Sequence, residues 1–158
     1  MNKIDTVLSY VSQYICKEDE KEFRHMILSH MYGVAQFGAM IALKRGMDPQ
    51  LLTIAGLLHD IHTLDTCDST NHAKVGAAEA KVILDELGIT TYKETGIICD
   101  AIYNHSKKDK LHGEYAEALK DADVLQHCLY NTANLPMQKD EERFKKLLDE
   151  FGLKNPHA

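Results

Sequence analysis

Leu51-Leu52-Thr53-Ile54-Ala55-Gly56-Leu57-Leu58-His59-Asp60 is the stretch on which the reading of the fold turns. Asp48-Pro49 just ahead of it is a helix start, an N-cap followed by proline at the first helical position. Leu51, Ile54, Ala55 and Leu58 then form an apolar stripe at helical spacing. His59 follows Leu52 by seven and Ala55 by four, so it falls where a core residue belongs. An imidazole buried without a partner costs free energy, and a shared divalent metal supplies one. Asp60 is rotated about 100° from His59 in a regular helix. Two adjacent ligands reach one metal centre only if the helix ends there or if two metals share the carboxylate. The polar, aperiodic segment Ile61 to Thr70 reads as a loop and favours the first condition.

Outward from this stretch, helical periodicity continues in both directions. Ile4, Val7, Leu8, Val11 and Ile15 mark a first helix. A second runs from about Asp19 to Arg45, with Phe23, Ile27, His30, Val34, Phe37 and Ile41 on one face and Gly46 as its stop. A helix from near Asn71 ends at Gly88, and Thr91-Tyr92-Lys93-Glu94 is a capping box for another carrying Ile97, Ile98, Ala101, Ile102 and His105. Ser106 to Gly113 is a basic loop, followed by a helix from Glu114 to Tyr130. A charged amphipathic helix spans about 138–151. No stretch combines period-two alternation with β-branched enrichment. The expectation is an all-α, single-domain helical bundle over residues 1–158, with the functional motifs within about 24–129.

Composition sets limits on function. With 158 residues, 44% hydrophobic and 27% charged, the chain is long enough to bury a real core. Its formal charge of -6 argues against an extended nucleic-acid surface, but a bound metal can invert the local sign for a small phosphorylated ligand. Cys16, Cys67, Cys99 and Cys128 are far apart, without a CxxC pair, and read as free buried thiols of a cytoplasmic protein. No basic n-region precedes an apolar h-region, and no apolar run reaches membrane-spanning length. The best run, Leu51 to Leu58, is broken by Thr53 and Gly56. P-loop and nucleophile-elbow motifs are absent.

Other ligand-type residues fall on helical stripes or helix ends. His30 is spaced three from Ile27 and four from Val34, and His105 continues the Ile98–Ala101–Ile102 face. His72 opens a helix, where the macrodipole disfavours a protonated imidazole and leaves its lone pair available. Asp121 and Asp123 both flank one apolar face, so periodicity does not choose between them. His25 sits opposite His30 and reads as solvent-facing, while His112, His127 and His157 lack a supporting constellation.

Leu57-Leu58-His59-Asp60-Ile61, preceded by His30 and followed by Ala122-Asp123-Val124-Leu125, resembles the HD-domain superfamily of metal-dependent phosphohydrolases. These are all-α bundles with ligands in the order H…HD…D. His72-Ala73-Lys74-Val75-Gly76-Ala77 and Ala101-Ile102-Tyr103-Asn104-His105 match two intermediate segments of the superfamily, and the resemblance covers roughly Arg24 to Leu129. It implies that His30, His59, Asp60 and Asp123 hold one metal. Asp60, the residue central to catalysis, would bridge to a second metal completed by His72 and His105. The family pattern selects Asp123 and leaves Asp121 a supporting or surface carboxylate. The implied cofactors are two divalent ions, with Mn, Fe, Mg, Zn, Co and Ni all open. The implied reaction is hydrolysis of a phosphate ester or anhydride in a nucleotide or related metabolite.

Lys107, Lys108 and Lys74 are the candidates to bind substrate phosphate. His62, three residues after His59, is open between a substrate contact and a plain loop residue. Two rivals keep the metals: a mixed-valent di-iron oxygenase, as in some members of the superfamily, and a non-enzymatic metal-stabilised sensor or interaction module.

Overall fold

The computed structural model describes residues 2–16 and 20–157, with the backbone alone described for Ile15 and Cys16. The expectations for the Ile15 side chain, the Cys16 thiol and a helix start at Asp19 lie outside the described residues. Among those described there are α-helices and no strands: α1 (Lys3–Ser12), α2 (Lys21–Arg45), α3 (Pro49–Leu58), α4 (Ile61–Thr66), α5 (His72–Leu87), α6 (Tyr92–Asn104), α7 (Glu114–Leu129) and α8 (Glu141–Phe151). A 3-10 turn at Gln13–Cys16 extends α1.

The helix boundaries follow local chemistry. Asp48 accepts a hydrogen bond from Gln50 N–H with Pro49 behind it, and Thr91 and Glu94 close the expected capping box. Gly46, Gly88 and Gly152 end α2, α5 and α8 in the left-handed region that glycine enters without steric cost. One boundary corrects the sequence reading: Ile61–Thr66 is a helix and not a loop. Its Ile61, Thr63 and Leu64 are buried, so tertiary packing stabilises a turn that periodicity alone does not reveal.

α7 is the axial helix, buried on almost every side, and it packs on α2, α3, α6 and α8. Leu52, Ile54, Leu58, Ile98, Ile102, Leu119 and Leu125 lie in one continuous core with residues of α1, α2 and α8. The α2 stripe is rotated from the expected one. Arg24, Leu28, Met31, Val34, Ala35, Gly38, Ile41 and Ala42 are buried, whereas Phe23, Ile27, His30 and Phe37 sit at its half-buried margin.

Small residues let α2 approach its neighbours. A Cβ on Gly56 would stand 2.6 Å from Ala35 Cα, and one on Gly33 would stand 2.7 Å from Gln126 Cγ. By length and composition, α2 is long and apolar enough to cross a membrane. This corrects the expectation that no segment reaches that measure. In the fold, α2 instead packs against α3 and α7. Cysteine burial is also corrected in part: Cys128 is buried, but Cys67 and Cys99 are half-exposed, and all three are free thiols.

Two glycine substitutions test this packing in opposite directions. Gly56→Ala, forced against the α2 backbone, should lower unfolding free energy by about 1–3 kcal/mol. Gly96 lies inside α6 with nothing within 4 Å of its would-be Cβ. Gly96→Ala should therefore raise stability by about 0.5–1 kcal/mol. Urea unfolding of both variants checks the pair, and a neutral Gly56→Ala would contradict the close α2–α3 contact.

Candidate metal centre

His59 ends α3 and Asp60 stands between α3 and α4 with φ −112° and ψ 24°. The helix does end at this dipeptide, which lets adjacent side chains face one cavity. The carboxylate is also shared. Asp60 Oδ2 lies 3.4 Å from His59 Nε2 and 3.8 Å from His30 Nε2. Oδ1 lies 3.6 Å from His72 Nε2 and 3.7 Å from His105 Nε2. Asp123 Oδ1 completes the first group at 3.3 Å from His30 Nε2. The structure thus brings together all six residues proposed from the sequence.

The histidines are oriented by their opposite ring nitrogens. His59 and His105 each follow the last turn of a helix, where carbonyls have acceptor capacity to spare. Their Nδ1–H groups donate to Gly56 O at 2.8 Å and Ile102 O at 2.6 Å. His72, at the first position of α5, donates to Ser69 O at 2.8 Å. His30 lies in mid-helix, where backbone carbonyls are engaged, so its partner comes from another helix: Gln126 Oε1 of α7, at 2.5 Å. In the neutral ring, each bond selects the tautomer that leaves Nε2 as the inward lone pair.

The His30 and His59 Nε2 atoms are 3.1 Å apart, and those of His72 and His105 are 3.2 Å apart. Donors that share one ion at about 2.0–2.1 Å stand about 3 Å from each other. Asp60 Oδ1 is buried without a hydrogen-bond partner among the described residues. Such an atom needs a cation or donor, so the donor set fits two divalent ions, one on each side of Asp60. Its two halves, His30–His59–Asp60 and Asp60–His72–His105, are each compact enough to hold an ion.

Charge inside the cage is uneven. Burial pulls the His59 pKa down, but the adjoining Asp60 carboxylate raises it further, to about 9 overall. Burial raises that of Asp60, yet His59 holds it well below the usual carboxylate range. Burial and the neighbouring His59 charge push His105 down to about 4. Asp123 is also held well below the usual range, because its hydrogen bond with His30 and the Lys108 charge outweigh burial.

The remaining candidates separate. Lys108 Nζ is 2.7 Å from Asp123 Oδ2 and 3.6 Å from the buried Asp140. It therefore braces a ligand, which corrects the sequence expectation that it reaches over the metals to bind phosphate. Lys74 and Lys107 line a cavity beside His72. His62 belongs to α4, and its Nδ1 stands 3.0 Å from Glu79 Oε1, joining α4 to α5. Asp121 points away from the cage into an ion-pair cluster, 2.8 Å from Arg45 and 2.5 Å from Arg143. His25 is exposed, as expected.

Two residues of the site escape the sequence reading. His127 stacks on His30 with ring centroids 4.6 Å apart, and its Nδ1 is 3.4 Å from Asp123 Oδ1. This corrects the expectation that it lacks a constellation. Its spacing of four from Asp123 was the available signal. Gln126 carried none, because its role depends on the α2–α7 approach.

Comparison with known proteins agrees with this architecture. The HD domain family model matches residues 27–151. Ribonuclease Y of Opitutus terrae is 31% identical over 104 residues, covering 65% of this chain and 18% of that protein. Ribonuclease Y of Clostridium tetani is 29% identical over 122 residues, covering 77% and 22%. The chain thus spans about a fifth of the length of these relatives. The crystal structure of a predicted HD superfamily hydrolase from an uncultured Thermotogales bacterium superposes with a TM-score of 0.62 at 22% identity. That match covers 96% of this chain and 90% of the other, a likeness of fold.

Two outcomes follow for metal binding. A ligand histidine must be deprotonated, and His59 holds its proton up to about pH 9. Mn²⁺ affinity should therefore tighten by about tenfold per pH unit from pH 7 to 8 and flatten above 9, with a proton released on binding. Calorimetry in buffers of different ionisation enthalpy reads both effects. Gln126→Leu, which frees the His30 ring, should weaken binding by roughly 10–100-fold without unfolding the protein.

Proposed function

This chain belongs to the HD-domain family, and from that premise we propose that it is a metal-dependent phosphohydrolase acting on a phosphate ester or anhydride of a nucleotide-sized metabolite. The observation that carries this reading is Asp60, whose two carboxylate oxygens are divided between two pairs of inward-facing imidazoles. Divalent ions held there would supply hydroxide near neutral pH and positive charge for phosphoryl oxygens.

The protein's own groups do the positioning. Buried His59 and His105 hold their rings through helix-end carbonyls, and Lys108 holds Asp123 by the oxygen turned away from His30. A cage of imidazole and carboxylate suits several divalent ions. The ribonuclease Y relatives act on RNA by their name. For a chain of net charge -6, a small nucleotide suits the cage better than an extended polymer. The free thiols suit a reducing cytoplasm.

Steady-state kinetics with Mn²⁺ on a panel of nucleotides and phosphate monoesters tests the reading. Wild-type protein should turn over at least one class, and Asp60→Ala should fall to background while its helical circular dichroism persists. A folded Asp60→Ala variant with wild-type turnover would refute the mechanism. A wild-type protein inert towards the panel, but consuming oxygen when loaded with iron, would favour the oxygenase chemistry instead.

A further inference from the structure

The cage borders two cavities that differ in their linings. On the His30 side, a cavity of about 330 Å³ is lined by Met26, Ile27, His30, Asp60, His127 and Tyr130, among others. Met26 and Tyr130 offer it a thioether and an aromatic ring that are otherwise exposed to water. On the His72 side, a cavity of about 400 Å³ is lined by Ser69, His72, Lys74, Tyr103, Ser106 and Lys107 among its walls, none of which is acidic.

The basic run after His105 is split by the fold. Lys108 is committed to Asp123 and Asp140. Lys107 turns the other way, with Nζ 3.7 Å from the centroid of the Tyr103 ring and 3.2 Å from Asn104 Oδ1. Neither Lys107 nor Lys74 pairs with a carboxylate among the described residues. Lys107 is thus a partly ordered ammonium at the wall of a cavity that also touches a cage histidine, with its charge uncompensated. An anionic group entering there gains charge-assisted hydrogen bonds without displacing a counter-ion. The opposite cavity suits a planar group, because a base stacks on an aromatic ring whatever its hydrogen-bonding edge.

Resting on the phosphohydrolase reading, we propose that the substrate is a nucleoside triphosphate lying across the cage in one direction. The nucleoside occupies the Met26–Tyr130 cavity, the α-phosphoryl group lies over Asp60, and the β- and γ-phosphates occupy the Lys74–Lys107 cavity. A nucleoside monophosphate would leave the second cavity unused. In this orientation water attacks the α-phosphorus, forming one P–O bond as the α–β bridging bond breaks. Pyrophosphate leaves with the bridging oxygen and its electron pair, and a proton from the water passes to solvent. The products are a nucleoside monophosphate and pyrophosphate.

The test uses the Mn²⁺-loaded protein with nucleoside triphosphates, nucleoside monophosphates and p-nitrophenyl phosphate. Turnover of a triphosphate in ¹⁸O-water should yield monophosphate and pyrophosphate in equal amounts, with the label in the monophosphate. Lys74→Ala combined with Lys107→Ala should raise the KM for the triphosphate roughly tenfold more than that for p-nitrophenyl phosphate, as expected for lost charge-assisted bonds. Calorimetric titration supplies a readout independent of turnover, using an α,β-methylene triphosphate and inorganic tripolyphosphate as probes. The lysine variant should bind both probes roughly tenfold more weakly. Tyr130→Ala should weaken only the nucleotide analogue. Release of γ-phosphate or of free nucleoside, or a lysine variant with wild-type selectivity, overturns the orientation while the hydrolase reading stands. Inertness towards every compound overturns both.

Discussion

A carboxylate held among four imidazoles is the interaction around which this protein is organised. Asp60 is largely buried, and an ionised carboxylate in such a place requires compensation by nearby positive charge or donors. His30, His59, His72 and His105 surround it, drawn from α2, the end of α3, the start of α5 and the end of α6. Because each oxygen faces a different pair, the site is bipartite by construction. The order of the helices is what brings ligands so distant in sequence to a single side chain.

Helix termini perform most of the orientation. Carbonyls in the last turns of α3 and α6 anchor the Nδ1–H groups of His59 and His105, so the turn that ends a helix also aims a ligand. His30, lacking such an end, relies on Gln126, and Gly33 gives that side chain room to lie against α2. A local backbone device and a long-range packing device thus achieve the same geometric result, an imidazole with its Nε2 directed inward.

α7 separates two electrostatic systems. Asp123 faces the cage and Asp121 faces Arg45 and Arg143, since residues two apart on a helix point about 200° from each other. Arg45 and Arg143 also pair with Glu150 and Glu117, so the cluster fastens α2, α7 and α8 together. A buried carboxylate on either face must find partners there, and the two partner sets differ in kind. One consists of permanently charged guanidinium groups, which suit a structural brace. The other joins the Lys108 ammonium to the imidazoles of His30 and His127, groups whose ring nitrogens are able to serve a metal.

The all-α class, the glycine stops after α2 and α5, the capping box at Thr91 and the six cage residues were all legible in the sequence. Each depends on neighbours within a turn or two, or on residue types recurring in a recognisable order. The helix at Ile61–Thr66 was not legible, because six residues carry too little periodicity and their burial comes from other helices. Tertiary structure alone decided that Asp121 is a brace, that Lys108 holds Asp123 while Lys107 faces another cavity, and that Gln126 and His127 join the site. Those outcomes depend on which face of one helix meets which face of another. That choice follows from close contacts between residues far apart in the chain, such as Gly56 against Ala35, and no local pattern encodes it.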